Sequence, residues 1–318
     1  MPTVGVLRGG PSREHEMSLK SGAAMLAALD LGRYRVRDIY IDTAGQWHIE
    51  GRPIQPERIL RQIDVALLPL HGEYGEGGEV QQLLERFGVR YVGSNAFATN
   101  QARHKAIGKT LAVQAGLLTP EFRLITVTDD VRAAAHDIIR SFHQPVIMRP
   151  ISQSSTVGVT VVGGHAPLLS AVRDCFTQGA EGVLVEELVR GHGAVVHVVE
   201  GLRGETLYAF PAVDIIPAAG NAYPYDAARR GEVRMECPGY FSRVQVEELA
   251  CAARRMHQTL GLRHYSRSDF IVSSAGTYYL ETASLPTPAP TDAFMLATSA
   301  VGLPTHELLE HLLQRAVA

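Results

Sequence analysis

Short apolar runs bounded by glycine-rich or polar turns alternate with stretches of helical period in the N-terminal third of the chain. Thr3 to Leu7 reads as a buried strand, Arg8-Gly9-Gly10-Pro11-Ser12 as the turn after it, and Met17 to about Leu29 as a helix. Strand, glycine-rich turn and helix in that order predict the start of a doubly wound α/β unit. Further strands are expected at Tyr34 to Tyr40 and at Val65 to Leu70, the latter running into His71-Gly72-Glu73-Tyr74-Gly75-Glu76-Gly77-Gly78. Ligands of open α/β sheets sit beyond the carboxyl ends of strands, so both glycine-rich loops are placed to line one crevice.

After Tyr91-Val92-Gly93-Ser94 the pattern predicts a helix over about Ala98 to Ala115 and a strand near Phe122 to Val127. A helix over Val131 to Phe142, a strand at Pro145 to Met148 and the serine-rich loop Ile151 to Val159 follow, as a small α+β layer. From about Gly182, β-like runs at Val183 to Leu188, Ala194 to Val199 and Ala209 to Ile216 precede one clear helix, Val244 to Leu260. Strands near Asp269 to Val272 and Tyr278 to Glu281 and a helix over Pro304 to Val317 complete the reading. Three domains are expected, over 1–95, 96–181 and 182–318, with Pro217 through Gly231 as a mobile loop.

The chain has 318 residues, 46% of them hydrophobic, enough for several compact units with a sizeable core. Its formal charge of −3 and the lack of a long basic run argue against nucleic acid or an anionic membrane as partner, leaving small molecules. Cys175, Cys237 and Cys251 lack metal-ligand spacing and read as reduced thiols. With no leader pattern before Val4-Gly5-Val6-Leu7 and no long apolar span, a cytoplasmic protein is expected.

Asp269 and Glu281, on neighbouring predicted strands, suit a hard cation, because Mg²⁺ takes one or two carboxylates beside phosphate oxygens and water. The next position on the same strand face is Ala283, which has no ligand atom. The first glycine turn lacks the spaced third glycine of a dinucleotide fingerprint. Glu14, with Ser18 one turn on, stands where a carboxylate either caps a helix or faces a cationic ligand, and local pattern favours the cap. His71 is held between a strand end and a glycine, a position that suits either a loop ligand or a structural histidine. Ser154-Ser155-Thr156 offers hydroxyls for a phosphate or carboxylate, with Arg149 just before it.

Together these segments resemble the D-alanine:D-alanine ligases of the ATP-grasp superfamily over essentially the whole chain. The carriers are Gly9 through Gly22, His71-Gly72-Glu73-Tyr74-Gly75-Glu76, Gly93-Ser94 leading to His104-Lys105, and Ser155-Thr156-Val157-Gly158-Val159. Val185-Glu186-Glu187, Arg267-Ser268-Asp269-Phe270 and Glu281-Thr282-Ala283-Ser284-Leu285-Pro286 add three more in the same order. The resemblance implies a three-domain ATP-grasp fold, α/β and α+β, with an N-terminal doubly wound parallel sheet. It further implies a cytoplasmic homodimer that uses ATP, Mg²⁺ and amino-acid substrates. By residue, it implies a first D-alanine site at Glu14, Ser18 and His71, with Glu14 receiving the ammonium, and Ser155 near the catalytic centre. Arg267 would stabilise the oxyanion, Lys105 and Arg149 would reach ATP phosphate, Glu186 would lie near adenine and ribose, and Asp269 and Glu281 would hold Mg²⁺.

The chain departs from that family pattern mainly around the nucleotide. Arg149 stands for a lysine, Gly193 for an acidic residue, Ala283 for an asparagine and Gly77 for an aspartate, and Thr287-Pro288-Ala289 replaces Gly-Met-Thr. A lid-like segment appears as Tyr225-Asp226-Ala227-Ala228-Arg229-Arg230, with Ala228 at the lysine position. The expectation is therefore a divergent ligase whose D-Ala-D-Ala synthesis is weak or lost, retuned to another substrate or reduced to binding. Two alternatives stand beside it, a functional D-alanine:D-alanine ligase of peptidoglycan precursor synthesis and a pseudoenzyme acting as sensor or partner-binding protein.

Overall fold

The computed structural model describes residues 1–151, 159–217, 233–286 and 292–318. Ser155, the Tyr225–Arg230 segment and Thr287-Pro288-Ala289, all singled out above, lie outside these residues. Three sheets organise the rest. The first comprises β1 (Thr3–Gly9), α1 (His15–Ala28), β2 (Arg35–Ile41), β3 (Trp47–Ile49), β4 (Arg52–Pro53), α2 (Pro56–Leu60) and β5 (Val65–Leu67). It continues through α3 (Gly72–Glu76), α4 (Glu79–Arg86) and β6 (Arg90–Tyr91), with strand order β4-β3-β2-β1-β5-β6.

Strands β2, β1, β5 and β6 are parallel as expected, but β3 and β4 add an antiparallel edge, so the sheet is mixed. The cause is local: Asp42 Oδ1 accepts the amides of Ala44 and Gln46, each at 2.9 Å, and folds the chain back after β2. Gly9 and Gly10, at φ +95° and +97°, serve a close crossing and no fingerprint. Gly10 N–H donates to the Ile41 carbonyl at 2.8 Å, and a Cβ on Gly9 would overlap that same carbonyl.

The helix expected over Ala98 to Ala115 is two helices, α5 (Ala96–Arg103) and α6 (Lys105–Gln114). His104 sits between them at φ −80°, ψ 95°, and its Nδ1 faces the Ile107 amide at 3.4 Å, so a capping side chain breaks the run. The second sheet is antiparallel, ordered β7-β10-β8-β9. Its elements are β7 (Phe122–Thr126), α7 (Val131–Ser141), β8 (Val146–Pro150), β9 (Thr160–Val162), α8 (His165–Thr177) and β10 (Gly182–Glu187). The strand read above as opening the third unit, β10, is hydrogen-bonded between β7 and β8 in this sheet. Ile125, Ile138, Met148, Leu168, Val172, Val183 and Val185 form a core drawn wholly from this segment.

The third sheet is ordered β14-β13-β11-β15-β16, with β12 paired to β11. It holds β11 (His192–Glu200), β12 (Leu207–Ala209), β13 (Val213–Pro217), β14 (Val233–Glu236), β15 (Tyr265–Ser273) and β16 (Gly276–Ala283). Helix α9 (Arg243–Thr259), opened by a Ser242–Gln245 capping box, packs with α5 and α6 on one face around Leu249, Met256, Phe270 and Tyr279. The other face shares one core with the first sheet, through α10 (Ala293–Ala300) and α11 (Thr305–Val317). Phe294 sits in that shared core, fully buried, so truncation to alanine would cost about 3–5 kcal/mol. Among the described residues no helix is long and apolar enough to cross a membrane.

Candidate active site

Two clusters gather where the sheets meet, and sequence-distant residues build both. In the first, α1 begins just after the β1 turn and brings Glu14 and Ser18 to the end of β5, where His71 and Gly72 lead into α3. Glu14 occupies the N-cap position of α1 without accepting any capping hydrogen bond from its side chain, which corrects the cap favoured on local pattern. Its carboxylate lies over Gly72 instead, where a Cβ would overlap Oε2 and come within 2.9 Å of Cδ. Gly72, at φ +68°, is thus required twice, by backbone conformation and by the carboxylate above it.

Ser18 is fully buried, accepting the Gly9 amide at 2.8 Å and donating to the Pro69 carbonyl at 2.7 Å. Its hydroxyl ties the two loops together, and its donor is committed to the backbone. His71 hydrogen-bonds through Nε2 to Ser21 Oγ at 3.0 Å, and Ser12 Oγ donates to the His71 carbonyl at 2.9 Å. Burial pushes the imidazole below its usual range against the upward pull of Asp292 and Glu14, which keeps it neutral at pH 7.

The second cluster is a chain of buried and half-buried charges spanning the second and third sheets. Arg149 on β8 donates from Nε to Glu186 Oε2 on β10 at 2.6 Å and from Nη1 to Glu281 Oε2 on β16 at 3.4 Å. Lys105, at the start of α6, lies 3.5 Å from the same Glu281 oxygen. Lys109, one turn along α6, lies 2.5 Å from Glu186 Oε1. Arg267 on β15 grips Asp269 with two hydrogen bonds, at 2.8 and 2.9 Å, along its own strand. Asp269 stands opposite Glu281 in the β15–β16 register, and Ala283 stands opposite Arg267.

These neighbours set the charges. Burial alone would raise Glu281, yet Lys105, Arg149 and Arg267 draw it below the ordinary carboxylate range. Asp269 moves the other way: burial raises it, the nearby Glu281 charge adds to that, and Arg267 only partly compensates. For Glu186, Arg149 and Lys109 outweigh burial and hold the carboxylate charged. Lys105, Lys109 and Arg149 therefore share Glu186 and Glu281, with burial lowering Lys109 against the pull of Glu186, a basic setting suited to an anion such as phosphate. Glu76, in α3, is pushed up to about 7 by burial, which Lys105 and Arg103 only partly offset.

Of the residues expected at the site, Glu14, Ser18 and His71 come together in one cluster, and Lys105, Arg149, Glu186, Arg267, Asp269 and Glu281 in the other. Ser155 is outside the described residues. Sequence reasoning missed Ser21, Lys109 and Asp292, the last of which caps α10 by accepting the Phe294 amide at 3.0 Å. Lys109 carried a signal that was overlooked: four residues after Lys105, it shares that lysine's helix face. The metal question turns on two carboxylates. Among the described residues no group of three or more His, Cys, Asp or Glu side chains is arranged to hold a metal. Asp269 and Glu281, paired in register and mutually repelling, fit Mg²⁺ only with phosphate oxygens and water completing its shell.

A mixed, mostly parallel N-terminal sheet followed by two antiparallel sheets that meet over a buried cation–carboxylate chain defines an ATP-grasp-like protein. Family models agree: the D-ala D-ala ligase N-terminus matches residues 3–58 and the D-ala D-ala ligase C-terminus residues 111–314. The D-alanine–D-alanine ligase of Desulforudis audaxviator is 32% identical over 316 residues, 98% of each chain. That of Syntrophobacter fumaroxidans is 33% identical over 322 residues, covering 99% of this chain and 97% of the relative. Among solved structures, a Bacillus anthracis D-alanine–D-alanine ligase complexed with ATP superposes at TM-score 0.82, with 25% identity, over 100% of this chain and 98% of that one. The VanG D-Ala:D-Ser ligase of Enterococcus faecalis shares the fold at TM-score 0.87 and 20% identity, over 99% of both chains. The chain belongs to the D-alanine–D-alanine ligase family of ATP-dependent ligases.

Proposed function

We propose that this chain is a working D-alanine:D-alanine ligase, the second of the three readings drawn from its sequence. The observation that carries the proposal is the chain of short charged contacts among Lys105, Arg149, Glu186 and Glu281, with the Arg267–Asp269 pair on the neighbouring strand, in a chain about one-third identical to ligases along its whole length. One D-alanine carboxylate attacks the γ-phosphorus of ATP, forming an acylphosphate and releasing ADP. The amine of a second D-alanine then attacks the acyl carbon, and phosphate leaves with the electron pair of the broken C–O bond.

Glu14 receives the ammonium of the first D-alanine beside neutral His71. Lys105 and Arg149 bind phosphate oxygens, and Arg267 offsets the charge of the tetrahedral oxyanion. Asp269 and Glu281 would hold Mg²⁺, which when bound neutralises charge on the phosphates. Glu186 faces the base and ribose, and Ser155 is assigned to the catalytic centre by resemblance. A cytoplasmic homodimer belongs to the same proposal.

Two features favour the reading of a weakened or retuned ligase. Both oxygens of Glu186 are engaged by cations of the protein, and Ala283 offers no metal ligand. Phosphate release in the presence of ATP, Mg²⁺ and D-alanine separates the readings. Robust turnover is expected, and its absence overturns the proposal. In that event calorimetry with ATP·Mg²⁺ divides a retuned ligase, which binds nucleotide, from a pseudoenzyme of the non-binding kind.

A further inference from the structure

Lys109 is fully buried, and its surroundings bridge two otherwise separate cores. Its ammonium lies 2.5 Å from Glu186 Oε1 on β10 and donates to Thr119 Oγ1 at 2.9 Å. Thr119 in turn donates its proton to the Tyr279 carbonyl on β16 at 2.9 Å. The Phe122 ring, at the start of β7, stands 5.9 Å from the same nitrogen. Glu186, Lys109, Thr119 and Tyr279 thus form one continuous polar path from the second sheet to the third.

That path matters because the second sheet keeps its apolar core to itself. Its buried cluster runs from Ile125 to Val185 and shares no residue with the cluster around α9 and β16. Helix α6 packs mainly on β16, where a Cβ on Gly108 would meet Tyr279 Oη at 3.2 Å, and touches the second sheet at β7. Nonpolar contact sets no fixed distance between Glu186 and the third sheet; a short charged contact does. Lys109 holds one oxygen of Glu186 while Arg149 holds the other at 2.6 Å, so the carboxylate is clamped from both sides.

We propose that Lys109 is a positioning residue for the nucleotide site, fixing the orientation of Glu186 and, through Thr119, its distance from β16. The inference rests on the ligase reading for what Glu186 faces, although its test does not need turnover. Lys109 touches no reacting atom in this role. It sets where the Glu186–Arg149 pair stands, and with it the fit of the nucleotide between the two sheets.

The experiment measures ATP·Mg²⁺ affinity by calorimetry in the full chain for wild type, Lys109→Met, Lys109→Arg and Thr119→Val, with urea midpoints for each. Lys109→Met is expected to weaken ATP·Mg²⁺ by about tenfold or more, the scale of a lost charge-assisted contact. Lys109→Arg, which keeps the charge, should recover most of the loss. A lowered urea midpoint with unchanged affinity would mean a strut only and would overturn the inference, as would equal losses in the Arg and Met variants. If Lys109→Met does not fold, Thr119→Val decides: it keeps the ion pair but removes the tether, and unchanged affinity there overturns the inference. A wild type that binds no ATP·Mg²⁺ does so too. Lys109-dependent binding without phosphate release from D-alanine would leave the inference standing and remove the ligase reading; robust release with an indifferent Lys109 would do the reverse.

Discussion

Between about pH 6.5 and 4 the buried His264 should make a separable contribution to acid destabilisation, beside His71 and His197, which burial also lowers, and against Glu76, which burial raises to about 7. His264 is buried at the start of β15, where its Nδ1 accepts the Gly93 amide at 2.9 Å and its own amide donates to Glu200 at 2.8 Å. The contact docks the end of the first sheet onto the third, beside Ser94, whose Oγ accepts the Arg263 amide at 3.0 Å. Burial lowers the His264 imidazole to about 4, with Arg263 adding to the effect and Glu200 opposing it. In the unfolded chain the ring titrates near its ordinary value of about 6.5. Between those values the unfolded state takes up a proton that the native state refuses, so stability falls as pH drops from about 6.5 to about 4. The gap corresponds to about 3 kcal/mol in all, of which about 2 kcal/mol is lost by pH 5. Glu200 does not blur this window: His257 and the His264 amide overcome the effect of burial and hold it near 2, so its contribution is lost only below about pH 4.5. The control is His264→Asn, which keeps an acceptor and tolerates the φ of +66° at this position. Urea midpoints at pH 7, 6 and 5 should show wild type losing about 2 kcal/mol more than the variant. Equal pH slopes for the two proteins would refute the assignment.

Three further outcomes follow from the site. Gly72→Ala should cost about 1–2 kcal/mol of stability through its left-handed backbone and raise KM for D-alanine by displacing Glu14, measured by urea unfolding and phosphate release. Arg149→Met should destabilise by about 3–5 kcal/mol, because it leaves the buried Glu186 short of one of its two cations, and should weaken ATP binding in the same calorimetric titration. Ala283→Asn should lower the Mg²⁺ concentration needed for half-maximal phosphate release, since it returns an oxygen beside Asp269 and Glu281; an unchanged Mg²⁺ requirement would place the metal elsewhere.

Local pattern made most strands and the long helices legible, because a buried strand and an amphipathic helix each announce themselves within a few residues. The helix from Ala98 failed for an equally local reason, a histidine cap that hydrophobic period does not register. The serine-rich loop, the Tyr225 segment and Thr287-Pro288-Ala289 remain outside the described residues, so the departures there stay as expectations. As a letter in the sequence Arg149 is a lysine lost; in the fold its guanidinium reaches Glu186 and Glu281 at once.

Asp269 and Glu281 were visible as a carboxylate pair from strand spacing alone, and Glu14 and His71 as loop residues at strand ends. Their surroundings and charge states depend on contacts at long sequence range. Glu14 does not cap its own helix because Gly72, brought in by the end of β5, leaves room for its carboxylate. Lys109 looked like an ordinary helix lysine until the second and third sheets closed around it. Sequence by itself determined which elements form and which residue types they carry, since those follow from local period and turn chemistry. Only the tertiary structure decided which charges are buried together, because desolvation and pairing depend on neighbours that the chain order keeps far apart.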